Sequence, residues 1–257
     1  MPGNEKEIAK YLVANKGKAS LRHLGVITSV GAPKSLIAGC KEISNAKDVD
    51  ACLASEDSRK KADIYINGEG ISLKQKGATF SYNRLQRANL LEVFKLLNFA
   101  DPEATLRRID KEVTMFHSNQ LDRRNRPWQD LFSEDEFKSL TKFLMMDSAP
   151  NVGYSLHPAR FILEAPANGI SEDEVDVFTF DEYFNKYRDN FKIAIRRQWV
   201  GQSSNSEHNR SVGLVRKPEN APWIFDTVVG APRTGWRAGF PVKSRKTVYF
   251  LMIEKES

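Results

Sequence analysis

The chain has 257 residues, of which 40% are hydrophobic and 28% are charged, and this composition is typical of a globular protein with one large or two small domains. No run approaches the roughly 20 apolar residues that cross a bilayer, and the first residues lack the apolar stretch of a signal peptide. We therefore expect a cytoplasmic protein with no membrane association. The two cysteines, Cys40 and Cys52, are too few for a disulfide framework or a four-ligand zinc site.

The net charge of +6 is unevenly distributed along the chain. Residues 186–257 include 14 basic and 6 acidic residues, whereas the preceding 185 residues include 25 basic and 27 acidic ones. A local positive excess is typical of a surface that binds phosphates, because such contacts release counterions. A well-solvated basic face has the same composition, so charge alone leaves both interpretations open.

The N-terminal half is predicted to contain several helices and one hairpin. Asn4 precedes an amphipathic pattern that predicts a helix to about residue 16, and Gly17 ends it. Residues 61–76 alternate apolar and polar positions around Asn67-Gly68, which predicts a β-hairpin. The other predicted elements of this half are a strand over 25–30 and helices over 83–99, 102–113 and 134–146, the last opened by the capping box Ser133-Glu-Asp-Glu136.

The C-terminal half is predicted to be rich in strands. Prolines and glycines after residue 146 mark loops before a short helix over 180–188. The predicted strands cover 191–200, 211–216, 223–229 and 247–253. We expect a single α/β domain with a helical half, 1–150, and a β-rich half, 151–257, that carries the basic excess.

Side-chain parity along the hairpin brings three polar residues to one face. A two-residue turn at Asn67-Gly68 would pair Asp63 with Ser72, and a four-residue loop would pair Asp63 with Lys74. In either register the three side chains lie within the ~5–8 Å that separate cross-strand neighbours.

A carboxylate and an amine on adjacent strands suit metal-dependent phosphodiester hydrolysis. Asp63 and the Leu73 carbonyl would bind Mg²⁺, and Lys74 would orient or activate the attacking water. The hydroxyl of Ser72 could hold a metal-bound water. The same polar residues would also be ordinary on a solvent-exposed hairpin face, so the hairpin alone does not decide between the two interpretations.

Further motifs follow one another along the chain. They are Asn4-Glu-Lys-Glu-Ile-Ala9, Lys61-Ala-Asp-Ile64 with Ser72-Leu-Lys74, Tyr82-Asn83, His117-Ser-Asn119 and Asp122-Arg-Arg124. Together they resemble the HinP and Msp branch of the type II restriction endonucleases, in the PD-(D/E)XK superfamily. The HinP-type pattern has a glutamine where this chain has Ser72, and the resemblance does not extend over residues 147–198.

The resemblance implies an α/β fold with a mixed central sheet flanked by helices and a β-rich C-terminal half that reads DNA. It also implies Mg²⁺-dependent, sequence-specific hydrolysis of double-stranded DNA at a short G/C-rich palindrome, leaving 5′-phosphates. Asp63 would be the metal carboxylate and Lys74 the catalytic lysine, with Ser72 and Glu5 as further site residues. Glu5 is equally explained as a glutamate favoured by the helix dipole.

The same resemblance implies several partners. We expect a prokaryotic cell that also contains a cognate DNA methyltransferase. A homodimer would match a two-fold target. One alternative is a repair or junction nuclease of the same fold, which would use the same Asp63 and Lys74. Another is a non-catalytic DNA-binding module that uses the basic C-terminal half, with a purely structural hairpin.

Base recognition requires hydrogen-bond donors aimed at base edges, and arginine is the commonest partner of guanine. We predict that Arg233 and Arg237, in the glycine-flanked loop 230–239, read bases, and that most other basic residues bind phosphates. Asn205 and Asn209 are candidates for adenine. The predicted DNA-binding residues are Tyr82, Asn83, Arg84, Asn205, Asn209, Arg210, Arg216, Lys217, Arg233, Arg237, Lys243, Arg245 and Lys246.

Overall fold

The computed structural model describes residues 4–53, 60–149, 153–231 and 235–256, without the side chains of Phe80, Tyr82 and Asn83. The chain divides into two compact units. The first unit comprises residues 1–80, 138–190 and 256–257, and the second unit comprises residues 81–137 and 191–255. Each unit therefore combines segments from both predicted halves of the chain.

The fold is mixed α/β, with sheets flanked by helices. The described helices are α1 (Glu5–Ala14), α2 (Val49–Cys52), α3 (Arg87–Leu96), α4 (Pro102–His117), α5 (Glu134–Lys142), α6 (Phe180–Tyr187) and α7 (Asn205–Val215). The described strands are β1 (Ser20–Leu21), β2 (Gly25–Val26), β3 (Val30–Pro33), β4 (Cys40–Glu42), β5 (Ile64–Ile66), β6 (Glu69–Gln75), β7 (Phe80–Leu85), β8 (Asn125–Pro127), β9 (Phe161–Ala165), β10 (Asp176–Phe178), β11 (Phe191–Val200), β12 (Ile224–Phe225) and β13 (Lys246–Lys255). None of these helices is long and apolar enough to span a membrane.

The first unit is built on a sheet with the strand order β10-β9-β6-β5-β3-β4. Strands β3, β5 and β6 are antiparallel neighbours, whereas β6 and β9 run parallel. Parallel neighbours require a long connection, and the chain between β6 and β9 includes residues 81–137 of the second unit.

Helix α1 covers the apolar face of this sheet. Its Ile8 and Leu12, four residues apart and therefore on one side of the helix, are completely buried. They share a core with apolar residues of β5 and β6 such as Ile64 and Ile71. Asn4 is at the N-cap position but makes no side-chain cap hydrogen bond, and its side-chain amide donates to the carbonyl groups of Ala165 and Pro166 at the end of β9.

The second unit contains a sheet with the order β12-β13-β11-β8, in which β7 also pairs with β13. Strands β11 and β13 pair over ten residues each, which confirms the strands predicted at 191–200 and 247–253. Trp223 is completely buried and its indole N–H donates to Asp110 Oδ1 at 2.7 Å. The same carboxylate accepts two hydrogen bonds from Arg87, each at 2.8 Å.

Local signals predicted several elements correctly. The hairpin, the helix from residue 102 and the helix from residue 180 are confirmed. The capping box is also confirmed, since the Glu136 N–H donates to Ser133 Oγ at 3.3 Å and the Ser133 N–H donates to Glu136 Oε2 at 3.0 Å.

Other predicted elements are wrong in type or extent. Residues 80–85 form β7, and the helix predicted from residue 83 begins only at Arg87, because the backbone of β7 pairs with the distant β13. The strand predicted over 211–216 lies in α7, which buries Leu214 in the second unit. The strand over 25–30 is divided between β2 and β3, and that over 223–229 shortens to β12.

Candidate functional site

The turn of the hairpin fixes which residues face one another. Asn67 and Gly68 have φ angles of +53° and +84°, and a type I′ turn requires positive φ at both central positions. Ile66 is opposite Glu69 and Ile64 is opposite Ile71. Asp63 directly precedes β5, and its Oδ2 lies 3.5 Å from Ser72 Oγ on the neighbouring strand.

The Asp63 carboxylate is held in place by the neighbouring strand. Its Oδ2 accepts a hydrogen bond from the Leu73 backbone N–H at 2.7 Å, and the Asp63 N–H donates to the Ile71 carbonyl at 2.8 Å. A backbone donor to a carboxylate is a charge-assisted hydrogen bond, stronger than a neutral one. The Asp63 side chain thus has a defined position at the edge of β5.

Lys74 connects to Asp63 through a buried hydroxyl. The Lys74 ammonium donates to Ser72 Oγ at 2.7 Å, and Ser72 Oγ lies 3.5 Å from Asp63 Oδ2. Ser72 is only 2% exposed, which argues against a purely solubilising role for this face of the hairpin. The ammonium also donates to the Leu73 carbonyl at 3.0 Å, so a cation bound to that carbonyl would have to replace the ammonium.

Glu5, in the first turn of α1, belongs to the same electrostatic group. Burial raises the pKa of the Glu5 carboxyl, and the negative charge of Asp63 raises it further, while the ammonium groups of Lys74 and Lys60 act in the opposite direction. The structure therefore brings Glu5, Asp63 and Lys74 together, although they are far apart in sequence.

Glu164 is a candidate residue that the sequence reasoning missed. It lies opposite Lys74 on the parallel strand β9 and is completely buried. Its Oε2 accepts a hydrogen bond from the Tyr187 hydroxyl at 2.7 Å and lies 3.6 Å from the Lys186 ammonium, whereas Oε1 makes no hydrogen bond to the described residues. A single acid within the apolar run 161–165 was the signal that could have identified it.

Lys61 is a second residue that the sequence reasoning missed. Burial lowers the pKa of its ammonium to about 8, and the positive charge of Lys74 contributes in the same direction. The carboxylates of Asp63 and Asp147 partly counteract this decrease. The Lys61 ammonium is therefore within electrostatic range of both Asp63 and Lys74.

The site offers oxygen ligands but few carboxylates. Within the described residues, no three His, Cys, Asp or Glu side chains form a group that could hold a metal ion. Mg²⁺ is usually bound by one or two carboxylates together with water and substrate phosphates. Glu5 and Asp63 meet that minimum, and the repulsion between them, evident in the raised pKa of Glu5, would be relieved by a cation. The residues thus suit Mg²⁺ with a substrate phosphate as a further ligand.

Several predicted DNA-binding residues of the second unit contact other side chains of the same unit. Arg84 lies over the Phe250 ring at 4.8 Å and 3.7 Å from Glu207 Oε1, and burial lowers the pKa of its guanidinium. Arg210 pairs with the same Glu207 oxygen at 2.7 Å. Arg237 donates to Asn205 Oδ1 at 2.6 Å.

The other predicted DNA-binding residues are spread over the second unit. Arg245 lies over the Trp236 ring at 4.2 Å, Lys217 donates to Gln86 Oε1 at 3.0 Å, and Lys246 pairs with Asp226 at 2.9 Å. Exposed residues of the set include Asn209, Arg216 and Lys243. Tyr82 and Asn83 lie in β7, but their side chains are not described, and Arg233 lies outside the described residues.

Comparison with protein-family models, with curated proteins and with solved structures gives no match to this chain. The function must therefore be argued from the side chains and their geometry.

Proposed function

We propose that this protein is an endonuclease of the PD-(D/E)XK type that hydrolyses double-stranded DNA with Mg²⁺, and that it acts as a type II restriction endonuclease. One observation carries the proposal. Asp63 Oδ2 lies 3.5 Å from Ser72 Oγ, which accepts a hydrogen bond from the Lys74 ammonium, and Glu5 is within the electrostatic influence of both charged groups.

The proposed chemistry uses each of these side chains. Glu5 and Asp63 would hold the cation, which supplies positive charge to the scissile phosphate. The Lys74 ammonium, positioned by Ser72, would orient the attacking water. The water oxygen forms a bond to phosphorus while the bond from phosphorus to the 3′ oxygen breaks. The products are therefore a 5′-phosphate and a 3′-hydroxyl that takes up a proton.

The second unit supports binding of the substrate. It includes 21 basic and 14 acidic residues, and a positive surface binds the DNA backbone through counterion release. The first unit includes 18 basic and 19 acidic residues. We infer that affinity for DNA comes mainly from the second unit and hydrolysis from the first.

Replacement of Lys74 tests the site directly. We expect Lys74→Ala to reduce Mg²⁺-dependent cleavage of a plasmid by about 100-fold or more, because the attacking water would lose the group that orients it. Lys76→Ala is the matched control. Lys76 is two residues after Lys74 in the chain, is exposed and pairs with Asp176. Equal activity of both variants would refute the proposed role of Lys74.

Sequencing of the plasmid ends separates the proposed function from its rivals. Discrete 5′-phosphate ends at one sequence would support a restriction endonuclease. Nicks that depend on DNA structure would indicate a repair or junction nuclease. Intact DNA that nevertheless binds the protein would indicate a non-catalytic binding module.

A further inference from the structure

Helix α7 is fixed to the second unit by one side only. Its Leu214 is buried with Val200 of β11 and Val248 of β13, and the Ser211 hydroxyl donates to the Trp199 carbonyl at 3.1 Å. Ser204 caps the helix, since its side chain accepts from the Glu207 N–H. The helix is thus held rigidly while its other side remains in solvent.

The solvent side of α7 forms a polar stripe without acidic residues. Positions three, four and seven apart lie on the same side of a helix, and the exposed residues follow this spacing. They are Asn205, Ser206, Asn209, Arg210, Gly213 and Arg216, the last at the C-terminal cap. We call this surface the α7 stripe.

Glu207, the acidic residue of α7, is less exposed than the residues of the stripe and is paired with basic side chains. Its carboxylate pairs with Arg210 at 2.7 Å, lies 3.7 Å from Arg84 and accepts a hydrogen bond from Gln198. The α7 stripe therefore presents hydrogen-bonding side chains and positive charge.

Gly213 is the least expected residue of the stripe. A glycine within a helix destabilises it relative to alanine. A Cβ added at Gly213 would meet no atom within 4 Å, so packing inside the described protein does not require glycine at this position. A surface that approaches the helix closely from outside would require it.

From these observations we propose that the α7 stripe lies in the major groove of duplex DNA and reads base edges. This inference rests on the proposed function, which supplies the ligand class. The major groove admits a helix, asparagine pairs with adenine in a bidentate manner, and arginine pairs with guanine. Asn209 and Arg210 are the base-reading residues of the stripe, Arg216 is at its end, and Gly213 lets the helix approach the groove.

Asn205 is oriented by Arg237. The Arg237 guanidinium donates to Asn205 Oδ1 at 2.6 Å and to the Gln202 carbonyl at 3.0 Å. With its carboxamide oxygen bound in this way, Asn205 would turn its amide group to the DNA. Arg237 then has a positioning role, in contrast to the direct base contact expected from the sequence.

Selection of binding sites tests the proposal without cleavage. The wild-type protein is incubated with a pool of short duplexes with randomised centres, with Ca²⁺ in place of Mg²⁺, and the bound duplexes are sequenced. We expect Asn209→Ala and Arg210→Ala each to lose preference at one base position, by about 5- to 150-fold. Arg107→Ala, an exposed arginine of α4 in the same unit, should reduce binding equally for all sequences.

Arg210→Ala also removes the ion pair with Glu207, whereas Gly213→Gln tests the α7 stripe without breaking an ion pair. We expect it to retain the wild-type melting temperature or exceed it, and to bind the selected duplex at least tenfold more weakly. Unchanged base preference in Asn209→Ala and Arg210→Ala, with full binding by Gly213→Gln, would overturn the proposal.

The two proposals can fail separately. If binding is sequence-selective and depends on α7 but no cleavage occurs in Mg²⁺, the proposal that α7 reads bases stands and the nuclease proposal is refuted. If the wild-type protein and all three α7 variants cleave the same site equally well, the nuclease proposal stands and the proposal that α7 reads bases is refuted.

Discussion

The two units use charge in opposite ways. In the first unit, acidic and basic residues are nearly equal in number. Two of its carboxylates are fixed by the surrounding structure, since Glu164 is completely buried and Asp63 accepts a hydrogen bond from a strand N–H. In the second unit, basic residues exceed acidic ones by seven, and residues such as Arg216 and Lys243 are exposed.

This difference corresponds to two physical tasks. A charge that acts on a reacting atom must be fixed and partly shielded from water, because water weakens electrostatic interactions. A charge that attracts a polyanion acts over a longer distance and requires an unbalanced, solvent-exposed surface. The comparison predicts that substitutions in the two units will have separable effects on cleavage and on binding.

The largest expected effect is on cleavage through the first unit. Asp63→Asn removes the charge but retains the size of the side chain. We expect the Mg²⁺-dependent cleavage rate to fall by about 1000-fold or more, because several kcal/mol of stabilisation from the cation would be lost. Affinity for DNA in Ca²⁺ should change less than about threefold. A parallel loss of binding and cleavage would show that the two units do not divide the tasks.

The next effect is on stability within the first unit. Glu164→Ala removes the acceptor of the Tyr187 hydroxyl and leaves a cavity, so we expect the free energy of unfolding in urea to decrease by about 1–3 kcal/mol. Glu164→Gln retains the acceptor and should destabilise less. If the glutamine variant is as unstable as the alanine variant, the charge itself is required.

A smaller effect is expected from an exposed lysine of the second unit. Lys243→Ala should leave the free energy of unfolding within about 0.5 kcal/mol. The slope of log affinity for DNA against log salt should become shallower by about one, as expected for the loss of one phosphate contact. Titrations at several salt concentrations measure this slope, and an unchanged slope would remove Lys243 from the DNA-binding surface.

The smallest expected effect is the contribution of the buried His117, in the second unit, to the pH dependence of stability. Burial lowers the pKa of His117, with a further contribution from Arg197, and its ring stacks on Phe225 at 3.9 Å. The unfolded histidine takes up a proton below about pH 6.5 while the folded one remains neutral, so stability should fall as the pH decreases through this value.

His117→Gln should reduce this dependence. The free energy of unfolding, measured in urea between about pH 5 and 7.5, should have a shallower slope in the variant on the acidic side of the range. An equal slope in both proteins would assign the acid sensitivity to other groups.

Local signals in the sequence were sufficient to predict the hairpin of β5 and β6. Asn67-Gly68 determines a two-residue turn because both residues adopt positive φ. The turn sets the register, and the alternation of the strands places Asp63, Ser72 and Lys74 on one face. The capping box at Ser133 similarly marks the start of α5, since its hydrogen bonds join residues only three positions apart.

Contacts between residues far apart in the chain determined the parts of the structure that local signals did not predict. Glu164 lies opposite Lys74 because β9 pairs in parallel with β6, and α7 is a helix despite its serines, asparagines and glycine because it buries Leu214 on strands of the second unit. The sequence by itself determined the turn, the polar face of the hairpin and the asymmetry of charge. Only the tertiary structure decided that Glu5 lies within electrostatic range of Asp63 and Lys74, that Glu164 is buried opposite Lys74, and that α7 presents a polar stripe, since these depend on contacts between residues far apart in the chain.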